Sequence, residues 1–280
     1  MRAWDDNSHA RFSHMKIATL NTWKNEGNYP LRLETMELLF RESAPDIILL
    51  QEVLSVPTLE RHTGKTLARN LDYDLVDAPA RRTLRKIDGQ PYLSYSGLSI
   101  LSRLPVEDFL KVNLPTSVAG GERIALLMRT IYHDRPLIIG NIHLSHLRDE
   151  QDIKKRQWMQ AIRSSHDRWG TLPILIGGDM NTNLDRTSNH ALFSYHQFQV
   201  VDTYAAAPQA ASDSTHPLPP KPNRPGRRID TIFLVQEEGS PNPGIIPIEA
   251  RIGGKALLTP KSVYPSDHAM VEVTFHIPDA

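Results

Sequence analysis

The sequence contains no cysteine, which excludes disulfides, thiolate metal sites and cysteine nucleophiles. Such a chain suits a reducing compartment, and a cytoplasmic location is the expectation. No apolar run approaches the roughly 20 residues that a membrane-spanning helix requires. The start, Met1 to His14, lacks the apolar centre of a signal peptide, so residues 1–14 read as a loose N-terminal extension. Excess charge is missing too: 32 Lys and Arg balance 32 Asp and Glu, which argues against binding nucleic acid through a strongly basic surface. A compact site with local positive charge remains compatible with that balance. The dense zinc signature His-Glu-x-x-His is absent. No internal repeat stands out, and nothing marks an obligatory protein partner.

What is present is an ordinary globular composition, 40% apolar and 23% charged over 280 residues, enough to bury a large core. Apolar runs alternate with helical spacings. A strand over Lys16–Leu20 is followed by a helix with Leu33, Met36, Leu39 and Phe40 on one face, then by a strand at Ile47–Leu50 that ends at Gln51-Glu52. This is a βαβ-like unit, with the pairing of its strands left open. A helix near Thr58–Asn70 and a short strand near Tyr73–Val76 come next. Arg81–Gln90 reads as an exposed basic loop with an Asp88-Gly89 turn. Strands are expected at Gly97–Leu101, Val106–Val112, Arg123–Tyr132 and Ile138–Leu144. A long helix, about Asp149–Trp169, carries the stripe Trp158, Ala161, Ile162 and Trp169, with Lys154, Lys155 and Arg163 off it. After the strand at Ile174, a short helix is expected over Ser188–Tyr195 and a surface loop over Ala205–Pro225. Strands follow at Arg228–Val235, Ile245–Arg251 and Ala269–Phe275. Ten or more strands fit two packed sheets better than one.

The pivotal stretch is Ile174-Leu175-Ile176-Gly177-Gly178-Asp179-Met180-Asn181. It reads as a buried strand that stops at a glycine pair, with a carboxylate and a carboxamide at its end. Alone, Gly-Asp-x-Asn fits an Asx turn better than chemistry. Other apolar strands, however, carry Asn21, Glu52, Asn141, His143, Asp230, Asp267 and His268 at or near their ends. Each has a plainer reading: Glu52 as an ion-pair partner, Asp267-His268 as a turn, His143 as a core histidine. As a set they are oxygen-rich with only two imidazoles, which suits a hard ion, Mg²⁺ or Mn²⁺, and phosphate chemistry.

Their order along the chain carries more. Asn21; Gln51-Glu52; Ser96-Gly97-Leu98-Ser99-Ile100-Leu101-Ser102-Arg103; Asn141-Ile142-His143-Leu144; Gly178-Asp179-Met180-Asn181; Arg228-Ile229-Asp230; and Ser266-Asp267-His268 together resemble the endonuclease/exonuclease/phosphatase superfamily. The resemblance implies one catalytic domain over residues 15–280, folded as a four-layer α/β sandwich with two mixed β-sheets face to face and helices on both outer sides. It implies a Mg²⁺- or Mn²⁺-dependent phosphoester hydrolase in which water attacks phosphorus in line. Carried over by position, Glu52, Asn21 and Asp267 lie on the metal side. Asp179 orients or deprotonates water, Asn181 holds water or phosphate, Asp230 pairs with His268, His143 hydrogen-bonds the phosphate, and Asn141 contacts substrate. Where abasic-site endonucleases have a metal-side Asp two residues after the Asn, this chain has Trp23. Asn-x-His-Leu is instead similar to deoxyribonuclease, sphingomyelinase, inositol-phosphatase-like and tyrosyl-DNA phosphodiesterase branches. A phosphodiesterase or nuclease acting on nucleic acid or a nucleotide-like substrate is the leading expectation. Alternatives are a phospholipid or inositol-phosphate phosphoesterase and a catalytically inactive binding module. Basic stretches at Arg81–Lys86 and Lys221–Arg228 are candidate contacts for a polyanion, or plain solvated loops.

Overall fold

A computed structural model describes residues 14–195, 197–208, 210, 213–223, 225–240, 244–255 and 263–278. Of the expected N-terminal extension, residues 1–13 lie outside the described residues, and His14 opens the first strand. In chain order the strands are β1 (His14–Asn21), β2 (Ile47–Val56), β3 (Arg61–His62), β4 (Asp74–Ile87), β5 (Gln90–Ser102), β6 (Asp108–Asn113), β7 (Ile124–Tyr132), β8 (Arg135–His143), β9 (Ile174–Asp179), β10 (Phe198–Asp202), β11 (Asp230–Glu237), β12 (Ile246–Gly253) and β13 (Met270–His276). The helices are α1 (Tyr29–Ser43), α2 (Thr63–Leu71), α3 (Gln151–Trp169) and the single turn α4 (Thr203–Ala206).

The strands form two mixed sheets. One is ordered β12-β13-β1-β2-β5-β4, with β3 beside β2, and the other β10-β11-β9-β8-β7-β6. They pack face to face, and the core between them includes Ile17, Leu49, Ile100, Leu126, Ile139, Leu175 and Val273. Helices α1 and α2 cover the outer face of the first sheet through Met36, Phe40 and Leu67. Helix α3 covers the second through Trp158, Ala161 and Ile162. The result is a four-layer α/β sandwich. Central strands are buried on both faces, which is why they read as unbroken aliphatic runs.

The βαβ unit resolves as β1 and β2 in parallel, joined by α1, with Ile17 opposite Ile47. Strands β8 and β9, joined by α3, are parallel too. Asn28 caps α1 by accepting from the Leu31 N–H at 3.4 Å, and Ala44 at φ +46° ends it just before Pro45.

Several expectations need correction. The strand at Ile47 does not end at Gln51-Glu52. It continues to Val56 through a bulge where the register against β5 shifts between Leu50 and Val53, and Glu52 sits there at φ +54°. Nor does β9 stop at its glycines, which lie inside the strand. A Cβ on Gly177 would come within 2.8 Å of Leu49 on the facing sheet, and Gly178, at φ +145°, approaches Ile142 of β8. Arg81–Gln90 is no loop: β4 and β5 pair along their length up to the Asp88-Gly89 turn, both of whose residues have positive φ. Its polar side chains face solvent on a two-stranded ribbon, so no apolar alternation marked it. The helix expected from Thr58 begins only at Thr63, after a 3-10 turn at Pro57–Leu59. Strand β10 and α4 went unrecognised.

Candidate active site

Chemistry-bearing side chains from both sheets meet at one end of the sandwich, in a cleft of about 430 Å³. The strands that carry them are those at the middle of each sheet. Because β1 and β2 run in parallel, as do β8 and β9, Asn21, Glu52, His143 and Asp179 all emerge at the same end. Strand β11 pairs antiparallel with β9 and starts opposite its end, Asp230 against Asp179. The segment Ser266–His268 enters just before β13.

Asp179 is the hub of the hydrogen bonding. Its Oδ1 accepts from the Asn181 N–H at 2.8 Å and its Oδ2 from Asn21 Nδ2 at 3.0 Å. The same Oδ2 lies 3.4 Å from His143 Nε2 and 3.8 Å from His268 Nε2. Burial pushes the Asp179 carboxyl up to about 7; the His268 cation opposes that rise and Asp230 adds to it. Asp230, fully buried, is bonded to His268 Nδ1 through both carboxylate oxygens, at 2.9 and 3.1 Å. Burial opposes the charge on His268, but Asp230, Asp179 and Asp267 outweigh it and raise the imidazole to about 10. His268 is therefore a cation at neutral pH. His143 goes the other way: burial, Arg123 and Lys24 push it well below the usual imidazole value, so it is neutral. Two histidines share one carboxylate in opposite charge states.

Glu52 projects from its bulge and pairs with Lys24 Nζ at 2.7 Å. Asp267 lies near His216, with 3.7 Å between Oδ2 and Nε2; burial works against its charge, but His216 and His268 hold it below the usual carboxylate range. Asn21, Glu52 and Asp267 all line the cleft. Their oxygen donors suit a hard divalent ion, and the ammonium held by Glu52 demonstrates a carboxylate aimed at a cation. His216, Asp267 and His268 present ligand atoms close enough to share an ion, as do Asp179, Asp230 and His268, though in the latter group Asp230 already occupies His268 Nδ1.

Not every expected site residue reaches the cleft. Asn141 is fully buried between the sheets: its Nδ2 donates to the Leu50 and Ser99 carbonyls at 2.8 and 2.9 Å, and its Oδ1 accepts from Gln51 at 2.8 Å. It braces the start of the Glu52 bulge, and as a substrate contact it is displaced by that role. Arg228, from the second basic stretch, is buried and paired with Asp202 at 2.8 Å and Asp185 at 3.2 Å, so it is not a polyanion contact. Asn181, at φ +49°, does line the cleft, and its Nδ2 donates to the Leu144 carbonyl.

Other residues escaped sequence reasoning. Lys154, expected off the apolar stripe, is buried and donates to the Asn181 carbonyl at 2.8 Å. It stands four residues before Trp158 and eight before Ile162, so the 3.6-residue spacing does place it on the stripe. Arg32, four residues before Met36, is also buried. Its guanidinium donates to the carbonyls of Thr22, Trp23, Lys24, Glu26 and Pro265, tying the loop after Asn21 to the segment before Asp267. The loop expected at the surface over Ala205–Pro225 instead sends His216 into the cleft, its ring centroid 4.5 Å from that of His268. Arg123, His146 and Arg148 line the cleft as well. No local pattern marked these, because they lie in turns joined to the site only by the packing of the sheets.

The comparisons with known proteins bear on the family and the fold. A model of the Endonuclease/Exonuclease/phosphatase family matches residues 18–268. An endonuclease/exonuclease/phosphatase from Bacteroides vulgatus superposes with a TM-score of 0.71 at 18% identity, covering 95% of this chain and 100% of the other. TDP2 of Caenorhabditis elegans, in a truncated form, gives 0.66 at 18% identity over 94% and 97% of the two chains. D. rerio TDP2 complexed with a single-strand DNA product gives 0.68 at 17% identity over 94% and 99%. No curated protein sequence matches the chain.

Proposed function

The chain belongs to the Endonuclease/Exonuclease/phosphatase family, which supports a phosphoester hydrolase, and on that premise we propose a Mg²⁺- or Mn²⁺-dependent phosphodiesterase acting on nucleic acid or a nucleotide-like substrate. The observation that carries the reading is the meeting of Asp179, Glu52 and His268 in one cleft, with Asp230 buried behind His268 and bonded to it. The structural likeness to TDP2 complexed with single-strand DNA supports a nucleic-acid substrate. The reading takes residues 15–280 as one catalytic domain and keeps the cytoplasmic location expected of a cysteine-free chain. No described helix is long and apolar enough to cross a membrane.

In this mechanism Glu52, with Asn21 and Asp267, would hold the divalent ion, and the chemistry the ion would supply is neutralisation of charge on the phosphoryl oxygens. Asp179, whose raised pKa makes it a competent base near neutrality, accepts the proton of the attacking water while the opposite phosphorus–oxygen bond breaks and the departing oxygen takes a proton from solvent. Its two hydrogen bonds, from Asn21 and the Asn181 N–H, fix the carboxylate plane for that task. His268, kept cationic by Asp230, donates Nε2–H toward the charge that builds on phosphorus oxygens. Neutral His143 offers a second, uncharged donor. Asn181, held by Lys154, positions water or phosphate.

Hydrolysis of bis-p-nitrophenyl phosphate and of single-stranded DNA is the test. Activity is expected to vanish in excess chelator and to return with Mg²⁺ or Mn²⁺, and Glu52→Ala should abolish turnover with the fold intact by circular dichroism. Full activity in chelator rules the mechanism out.

A further inference from the structure

We propose that Arg81, Arg123 and Arg148 form a subsite for a second phosphate, flanking the one that is cleaved, so that the cleft takes a polynucleotide strand rather than an isolated phosphoester. This rests on the phosphoesterase reading above. The three arginines come from β4, from the turn into β7 and from the loop after β8, and all line the cleft. Lys24 is paired with Glu52, Arg228 with Asp202 and Asp185, and Arg32 and Lys154 are bonded to carbonyls. No described carboxylate lies within ion-pair distance of Arg81, Arg123 or Arg148. Arg123 Nη2 donates to His146 Nδ1 at 3.0 Å, and its Nε is buried with no partner. Arg81 lies against Gly121, where a Cβ would meet the guanidinium at 3.4 Å. Three clustered guanidinium groups repel one another, and an anion between them offsets that repulsion. Their planar forks fit phosphate oxygens.

Strand order separates this wall from the reaction centre. In one sheet Arg81's strand lies three places beyond Asn21's (β1-β2-β5-β4), and in the other Arg123's lies two places beyond Asp179's (β9-β8-β7). At a strand spacing of about 4.8 Å, the backbones are displaced by about 10 to 14 Å. The displacement runs the same way in both sheets, because β1 faces β9 while β4 faces β7. Arg123 nonetheless feels the charges of Asp179 and Glu52 as well as that of Arg81. The row of positive charge thus begins beside the reacting phosphorus and leads away from it, as the next phosphates of a strand do. A zwitterionic choline headgroup, by contrast, would set its cation against this wall.

Binding in excess chelator separates this inference from catalysis. The anisotropy of a fluorescent decathymidylate is titrated against salt for the wild-type chain, R81Q, R81Q/R123Q and the distant control R168Q. The expected result is a weakening of about tenfold for the double variant. The slope of log Kd against log salt should become shallower by about 0.7 for each arginine removed. R81Q alone, at an exposed position, keeps the test valid should Arg123 be needed for folding. Equal affinity and slope for wild type and R81Q/R123Q overturn the subsite. Arginine-dependent binding of inositol hexakisphosphate, without any of the oligonucleotide, overturns the strand. In Mg²⁺, the ratio of kcat/KM for pTpT over TpT should be about 10 for wild type and near 1 for R81Q/R123Q. Absence of all hydrolysis, with arginine-dependent binding retained, sinks the phosphoesterase reading and leaves the subsite standing.

Discussion

The floor of the cleft and its arginine wall are built in opposite ways. On the floor, Asp179, Asp230, His268 and Asn21 are all buried, and each has its polar atoms fixed by neighbours at strand ends. On the wall, Arg81 and Arg148 are exposed, Arg123 is half-buried, and none has a carboxylate partner among the described residues. The floor is set before substrate arrives and places charge where it is costly, in an interior that raises Asp179 and encloses a cation. The wall keeps its charge where solvation is cheap and leaves the pairing to a ligand. Under the proposed function, chemistry falls where polar atoms are fixed by their neighbours, and recognition where side chains are exposed.

The sharpest way to break this contrast is Asp179→Asn. It keeps the shape and removes the base, so kcat should fall by about 10⁴, the upper end for loss of a general base. Stability should move the other way. Folding raises the Asp179 pKa, so the folded chain binds a proton more tightly than the unfolded one. The advantage is fully present below the ordinary carboxylate value near 3.8 and is lost as pH rises to about 7. Above pH 7 the wild-type chain carries the whole cost of a buried charge, and the variant should melt at a higher temperature. A thermal melt at pH 8 that shows the variant less stable contradicts this account of the floor.

Asp230 and His268 come next in size. Each change to Ala should lower kcat by about 10³, within the range for loss of one transition-state donor. The two are bonded at 2.9 Å and one holds the other cationic, so the double variant should sit near the worse single one. Losses that multiply to about 10⁶ mean the residues act separately.

The smallest kinetic effect belongs to Asn141. As a brace between the sheets, Asn141→Ala leaves the carbonyls of Leu50 and Ser99 without its donor and should cost about 1 to 3 kcal/mol of stability. Activity of the folded fraction should change by less than tenfold. A large rise in KM at unchanged stability returns Asn141 to the substrate.

The sequence by itself determined the buried strands, the helices α1 and α3 and the order of Asn21, Glu52, His143, Asp179, Asp230 and His268, while the four-layer arrangement followed from the resemblance those residues carry. Unbroken aliphatic runs and 3.6-residue stripes survive any tertiary context, and a polar residue ending such a run has few places to go. Only the tertiary structure decided what those residues do to one another. The opposite charge states of His143 and His268 arise from burial and from the charges that strands far apart in sequence bring to each ring, Arg123 and Lys24 to the first and Asp230 to the second. Glu52 owes its projection to a bulge that only pairing with β5 reveals. Asn141 and His143, two residues apart on one strand, point alike by periodicity, yet the first is captured by the facing sheet and the second reaches the cleft. Arg32 and Lys154 sit on apolar stripes because each finds backbone carbonyls to replace water. A buried cation without such partners would be expelled, and the partners exist only once the loops they hold have been folded over them.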